Sequence, residues 1–153
     1  MRKIEKQIID VIRYGRIQNF GTLRLSCRDA VTRDDGGWYH IILHDTDIAQ
    51  ISPWQGLMRI NMHGYGTPTT MSRIRALLSY FADGGFVLTR DPKHRYDEYS
   101  EWSGKYTSRG EPLLCSPSGQ QAHIRDVEVL LTSDRIQYWD DQHKIWDDYP
   151  VCK

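Results

Sequence analysis

The chain has 153 residues, and its 20 lysine and arginine residues balance its 20 aspartate and glutamate residues. A formal net charge of zero excludes a general DNA-coating protein, which needs a basic surface. The length and a hydrophobic fraction of 39% favour a single folded domain over residues 1–153 and exclude a disordered chain.

The sequence predicts a cytoplasmic protein. Its three cysteines form no Cys-x-x-Cys pair, which suits a reducing compartment with free thiols. The N-terminal segment alternates charged residues with isoleucine and lacks the apolar stretch of a signal peptide. No apolar run approaches the length that spans a membrane, and no sequence motif indicates a cofactor. We therefore expect neither membrane insertion nor a bound cofactor.

The first predicted helix lies at the N-terminus. Apolar side chains recur there at the spacing of one helical face, namely at Ile4, Ile8, Val11 and Ile12. Gly15 is expected to end this helix. The strongest predicted strand is Trp38 to Leu43, which follows the turn-forming segment Asp34-Asp35-Gly36-Gly37. Leu57 to Met62 alternates in the same way and is predicted as a further strand.

A second helix is predicted after the glycines of Gly64-Tyr65-Gly66. Thr67 has the side chain of an N-cap, and Pro68 suits the first helical position, where its missing N–H costs nothing. The apolar face of this helix is formed by Ile74, Leu77, Leu78 and Phe81. Asp83-Gly84-Gly85 is predicted to end it.

The second half of the chain has a weaker pattern. Residues 1–90 form a module of helix, strands and helix, residues 91–125 are predicted as an irregular loop, and residues 126–150 as a C-terminal hairpin. Hairpin connections dominate this order of elements. The predicted fold class is α+β, with an antiparallel sheet, two helices packed on one face and a long irregular loop in the second half.

Three stretches together resemble small proteins of tailed bacteriophages. They are the N-terminal Met1 to Gln7, the segment Leu43-His44-x-x-x-Ile48-Ala49, and the strand-to-helix run from Gly64 to Leu77. The most specific part is its Thr-x-Thr-Thr-x-x-Arg pattern, with Tyr65 at a position where those proteins usually carry tryptophan. The resemblance covers roughly the first half of the chain. It implies a phage origin and action in the cytoplasm of the infected host, and it transfers no catalytic residues.

The strand-to-helix turn is the first candidate site. Free N–H groups at a helix N-terminus favour an anion such as phosphate, and hydroxyls beside them add hydrogen-bond donors. The candidate phosphate ligands are Gly64, Gly66, Thr67, Thr69, Thr70 and Arg73. A simpler interpretation is that the threonines only cap their own helix.

A second and weaker candidate is a metal site. His40 and His44 are four residues apart on a predicted strand, close to Asp45 and Asp47, and such side chains bind divalent metals. A small metal-dependent nuclease or phosphoesterase is the enzymatic alternative that these residues support. Aspartates after a strand more often form turns, so no metal is assigned.

The third candidate is a partner-binding surface in the predicted loop. It combines basic and aromatic side chains: Arg95, Tyr96, Tyr99, Trp102 and Tyr106. Such a mixture holds single-stranded nucleic acid by stacking, and it is equally typical of protein-interface hot spots. An ordinary solvated loop is a further interpretation.

The sequence therefore predicts a phage-encoded binding protein that acts in the host cytoplasm. Its partner would be a host protein, such as a nucleic-acid-binding defence component, and its role that of a counter-defence or host-takeover inhibitor. Nucleotide or nucleic-acid phosphate binding, the metal-dependent enzyme and a structural phage component remain as alternatives. No nucleophile motif is recognisable, which argues against an enzyme.

Overall fold

A computed structural model describes residues 1–82 and 85–151. Its helices are α1 (Lys3–Arg13) and α2 (Pro68–Phe81). Both agree with the sequence, including the N-cap at Thr67 and the proline in the first turn of α2. The end predicted for α2 lies partly outside the described residues, which do not include Asp83 and Gly84.

Eight of the described strands form one antiparallel sheet in the order β1-β2-β3-β4-β5-β9-β10-β11. Their bounds are β1 (Gly21–Arg24), β2 (Asp29–Arg33), β3 (Tyr39–Leu43), β4 (Thr46–Ser52), β5 (Leu57–Ile60), β9 (Val129–Thr132), β10 (Arg135–Asp140) and β11 (Ile145–Asp148). The predicted C-terminal hairpin is thus present as β10 and β11, and β9 joins it to the edge of β5.

One face of this sheet is buried, and the apolar side chains on that face are neighbours across its strands. The register aligns Val31, Ile41, Ala49, Ile60 and Val129, all at most 2% exposed. Side chains of α1 and α2 belong to the same hydrophobic core, and the helices contact β2 and β4 respectively. The α+β class with an antiparallel sheet is therefore confirmed.

The prediction of an irregular loop over residues 91–125 is wrong for most of that range. Its residues lie in β6 (Val87–Ser100), β7 (Lys105–Cys115) and β8 (Gln121–His123), which form a second antiparallel sheet. Most of β6 and the first part of β7 are exposed or half-buried on both faces. No apolar alternation marks such strands, because neither face needs apolar side chains.

A buried ion triad links the helices to the sheet. Arg73 of α2 donates from Nε to Asp29 Oδ1 of β2 and from Nη1 to Glu5 Oε2 of α1, each at 2.8 Å. All three side chains are 2–3% exposed. Ser72 Oγ donates to the same Glu5 oxygen at 2.6 Å, and the Arg2 backbone N–H donates to Oε1 at 3.0 Å. The guanidinium compensates one of the two negative charges, which leaves a formal net charge of −1 on the triad, and both carboxylate oxygens of Glu5 accept hydrogen bonds.

The pKa values of the two acids follow from this arrangement. Burial disfavours the charged carboxylate of Glu5, but hydrogen bonds from Ser72, Arg2 and Arg73 outweigh it and lower the pKa of Glu5. Burial of Asp29 is likewise outweighed by hydrogen bonds from Arg73 and Ser26, so its pKa is also lowered. Both carboxylates are therefore stabilised in the ionised form, and the guanidinium of Arg73 contributes to lowering the pKa of each.

Arg73→Met is expected to lower the free energy of unfolding by about 3–5 kcal/mol, because it leaves two buried carboxylates without their cation. Urea denaturation followed by circular dichroism measures the loss. Arg16→Met is the control, since Arg16 is exposed and surface changes usually stay within about 0.5 kcal/mol. The triple variant E5Q/D29N/R73M should recover part of the loss; an Arg73→Met effect no larger than that of Arg16→Met would contradict the role of the triad.

Candidate functional site

The strand-to-helix turn is organised by its own capping interactions. Thr67 Oγ1 accepts a hydrogen bond from the Thr70 backbone N–H at 3.2 Å and lies 3.0 Å from Thr70 Oγ1. Thr70 is buried and Thr69 half-buried. The two hydroxyls thus meet each other, as expected for side chains that satisfy the first turn of a helix.

The structure separates Arg73 from the other predicted phosphate ligands. Its guanidinium is enclosed by Asp29 and Glu5 in the core, whereas Gly64 and Gly66 lie in the turn before α2. Arg73 was the only cation among the predicted phosphate ligands, so the turn keeps backbone and hydroxyl groups but not the charge that would select phosphate.

Two of the three stretches that resemble phage proteins, Leu43 to Ala49 and Gly64 to Leu77, line a common pocket of about 330 Å³. Leu43, His44 and Ile48 come from the first stretch, and Tyr65 and Thr67 from the second. None of its described lining residues is a lysine or arginine. Its mainly apolar wall suits an apolar side chain or ring better than a phosphate.

Two side chains of β6 in the second sheet donate hydrogen bonds to Gly66. The Gly66 carbonyl oxygen accepts hydrogen bonds from Arg90 Nη2 at 2.6 Å and from the Tyr96 hydroxyl at 3.0 Å. Arg90 also donates from Nη1 to the Gly110 carbonyl at 3.0 Å. Gly66, a predicted phosphate ligand, and Tyr96, a predicted partner residue, are therefore in contact. The hydrogen bond between them stabilises the fold.

Residues 95–110 form a two-stranded arm. The pairing of β6 and β7 is interrupted between Asp91 and Arg95 and then resumes from Arg95↔Gly110 to Ser100↔Lys105. In the described sheets, the strands pair beyond this irregularity only with each other. The stretch between Asp91 and Arg95 is therefore where the arm leaves the second sheet.

Exposed aromatic residues occupy the end of the arm. Trp102, in the turn, is 98% exposed, and the rings of Tyr99 and Tyr106 are 4.9 Å apart with 52% and 71% exposure. Arg95 lies nearer the base and donates from Nε to Ser108 Oγ at 3.0 Å. Of the predicted partner residues, the structure thus brings Tyr99, Trp102 and Tyr106 together at the tip and leaves Arg95 and Tyr96 at the base.

The predicted metal residues fall into two separate places. His40 lies between two carboxylates, with Nδ1 2.6 Å from Asp47 Oδ2 and Nε2 2.8 Å from Asp34 Oδ2. His44 and Asp45 form the turn between β3 and β4, with φ angles of 51° and 61°. This is the turn geometry that the simpler interpretation of the sequence expected.

A different group has the geometry of metal ligands. Within residues 1–82 and 85–151, ligand atoms of three His, Cys, Asp or Glu side chains converge only at Asp91, His94 and His123, where they lie within 4.8 Å of one another. The sequence analysis missed this cluster. The local sign of the cluster in the sequence was the Asp91-x-x-His94 spacing. His123 is brought next to these two residues by strand pairing, in which it lies opposite Leu113 of β7.

Hydrogen bonds keep Asp91 ionised. His123, the Lys93 backbone N–H and His94 hold the pKa of the Asp91 carboxyl well below its usual range. The two oxygens divide these contacts: Oδ1 accepts from Lys93 N–H at 2.9 Å, and Oδ2 faces both imidazoles.

The family model described as Kyanoviridae Gp96 protein matches residues 1–108 of the chain. The chain belongs to this bacteriophage protein family. The match supports the phage origin that the sequence resemblance implied, and it covers the turn before α2 and nearly all of the arm. No curated protein and no solved structure matches the chain. In the described part of this Gp96-family chain, neither helix is long and apolar enough to cross a membrane.

Gly66→Ala is expected to destabilise the protein by about 1–3 kcal/mol through overpacking. An added Cβ would collide with the Tyr96 hydroxyl and approach Pro112 Cγ to 2.9 Å. Thermal unfolding measures the change, and Gly36→Ala is the control because its nearest contact would be an ordinary 3.4 Å. Adding Tyr96→Phe should restore part of the stability; equal effects of the two alanine substitutions would contradict the close packing at Gly66.

His40 is expected to titrate above its ordinary pKa of 6.5. Burial favours the neutral ring, but hydrogen bonds to Asp34 and Asp47 outweigh it and raise the pKa of His40. The stability from this contact is thus fully present below about pH 6.5 and is lost as the pH rises through the raised pKa. Imidazole NMR measures the titration, and Asp34→Asn should lower the pKa of His40.

Asp35→Asn is the control for this titration, because Asp35 is the exposed neighbour of Asp34. It should leave the His40 titration in place. A His40 pKa at or below 6.5 in the unmodified protein, or the same shift in both variants, would show that Asp34 does not stabilise the charged imidazole.

Proposed function

We propose that this Gp96-family protein is a phage-encoded binding protein that acts in the infected host cell. Its partner is a host protein, and the aromatic tip of the arm is the contact surface. Its biological role is that of a counter-defence or host-takeover inhibitor. The proposal depends on one observation above all, the exposure of Trp102 at the end of a two-stranded arm.

The chemistry of the tip supports a protein partner. Tryptophan and tyrosine dominate interface hot spots because they bury a large area and lose little conformational entropy. An indole that is 98% exposed forgoes that burial in the isolated chain. Insertion of Trp102 into an apolar pocket, flanked by Tyr99 and Tyr106, would recover it.

Hydrogen bonds and an ion pair hold the arm at its base, which favours binding. Tyr96 and Arg90 fasten it to the Gly66 carbonyl, and Arg109 Nε pairs with Glu98 Oε2 across the strands at 2.6 Å. A preorganised element loses less entropy on association than a mobile loop.

The charge of the arm favours protein over nucleic acid. Residues 95–110 contain three cations (Arg95, Lys105 and Arg109) and three anions (Asp97, Glu98 and Glu101), so their formal net charge is zero. Arg109 is moreover engaged by Glu98, and Arg90 by backbone carbonyls. Single-strand binding needs a basic track along the phosphates, which this surface lacks among the described contacts.

The test is affinity capture from a lysate of the bacterial host, with and without nuclease, followed by mass spectrometry. We expect one stoichiometric host protein that survives nuclease treatment. Trp102→Ser should weaken its binding roughly 30-fold, which corresponds to a hot-spot loss of about 2 kcal/mol.

Trp54→Ser is a matched control. Trp54 is also a turn tryptophan, 90% exposed, but lies between β4 and β5 rather than on the arm. It should leave capture unchanged. Recovery of nucleic acid alone, or capture equally sensitive to both substitutions, would refute the arm as a protein-binding element.

A further inference from the structure

We infer that Asp91, His94 and His123 form a site for a zinc-class divalent cation. The three side chains come from two elements, because Asp91 and His94 belong to β6 and His123 to β8. Asp91 Oδ2 lies 2.7 Å from His94 Nδ1 and 2.9 Å from His123 Nε2. The two imidazole rings are 5.0 Å apart, tilted by 53°, so both nitrogens face one oxygen.

Two of the three distances between the ligand atoms are close to those of a zinc site. Tetrahedral zinc with bonds of about 2.0 Å holds its ligand atoms about 3.3 Å apart. The distances from Asp91 to the two imidazoles are slightly shorter, and all three ligand atoms lie within 4.8 Å. His94 is 66% and His123 43% exposed, so both rings have room to turn. A bound metal would take the place of the hydrogen bonds between the ring nitrogens and the carboxylate.

The carboxylate is already oriented for this role. The Lys93 backbone N–H donates to Oδ1 of Asp91 at 2.9 Å, which fixes the plane of the carboxylate and directs Oδ2 at the histidines. Outer contacts that orient a ligand in this way are a regular part of metal sites. Two imidazoles and one carboxylate form the donor set of an open zinc site rather than a closed structural one.

The remaining coordination positions face a cleft. His94 and His123 line a cavity of about 540 Å³ together with Lys93, Glu111 and Arg125. Arg125 is fixed there by a bidentate contact with Glu111 at 2.9 and 3.0 Å and by the Tyr96 ring at 4.0 Å. Water or a small anion can enter from this side. The cluster stands at the point where the arm leaves the second sheet, so a bound cation would also join β6 to β8.

Zinc titration into the full-length, tag-free protein tests the inference by calorimetry. We expect one Zn²⁺ per chain and a rise in Tm with zinc, because a ligand that binds the folded state stabilises it. His94→Gln and His123→Gln should each weaken binding at least about tenfold. Because both rings are largely exposed, circular dichroism should show that these variants fold.

His143→Gln is a matched control. His143 Nδ1 lies 2.7 Å from Asp140 Oδ2, also three residues away, but this pair is not joined by a third ligand among the described residues. It should leave zinc binding unchanged. An unmodified protein that binds no zinc, or equal affinities of the His94→Gln, His123→Gln and unmodified proteins, would overturn the site. So would an equal loss in His143→Gln, which would indicate adventitious His–Asp binding.

The zinc site and the proposed function can be disproved independently of each other. Host-protein capture depends on Trp102 at the tip, whereas zinc binding depends on residues at the base of the arm. Trp102→Ser should therefore bind zinc with unchanged affinity.

Discussion

The buried contact of Arg73 with Glu5 and Asp29 is the constraint on which the rest of the structure depends. A buried guanidinium is tolerated only where carboxylates compensate its charge, and here they come from α1 and β2. The triad therefore fixes how both helices lie on the large sheet. Because Arg73 lies in the second turn of α2, the triad anchors the N-terminal half of that helix to α1 and β2.

The position of α2 determines what happens at its N-terminus. The turn before the helix directs the carbonyl of the buried Gly66 toward the second sheet, where Arg90 and Tyr96 donate hydrogen bonds to it. Only glycine leaves room for this approach. Contacts thus link the core triad to the start of α2, and the start of α2 to the base of the arm. The aromatic tip lies at the far end of the arm and is not part of the core.

The tip of the arm and the histidine cluster at its base differ in chemical character. The tip is aromatic, exposed and formally neutral, with Lys105 balancing Glu101, which is the character of a protein-contact surface. The base gathers imidazoles, carboxylates and a fixed arginine around a cleft. A small α+β protein can combine the two because a break in strand pairing, here between Asp91 and Arg95, redirects side chains without disturbing the rest of the ladder.

The sequence by itself determined the local features. The apolar spacing of α1 and α2 and the cap at Thr67 follow from short-range patterns and lie where they were predicted. The strand predicted from Trp38 to Leu43 is present as Tyr39–Leu43, one residue shorter. The exposed aromatic residues of the arm were also recognised as candidates, although their strands were mistaken for a loop. Strands without a buried face leave no periodic signal to find.

Only the tertiary structure decided what the charged residues do. Arg73 was predicted to bind phosphate because it follows a helix N-terminus, but its partners are 44 and 68 residues away in sequence. His123 joins Asp91 across 32 residues, through strand pairing that no local pattern encodes. Local sequence specifies backbone geometry and burial, whereas the partners of a charge are set by which distant segments the fold brings within a few ångströms.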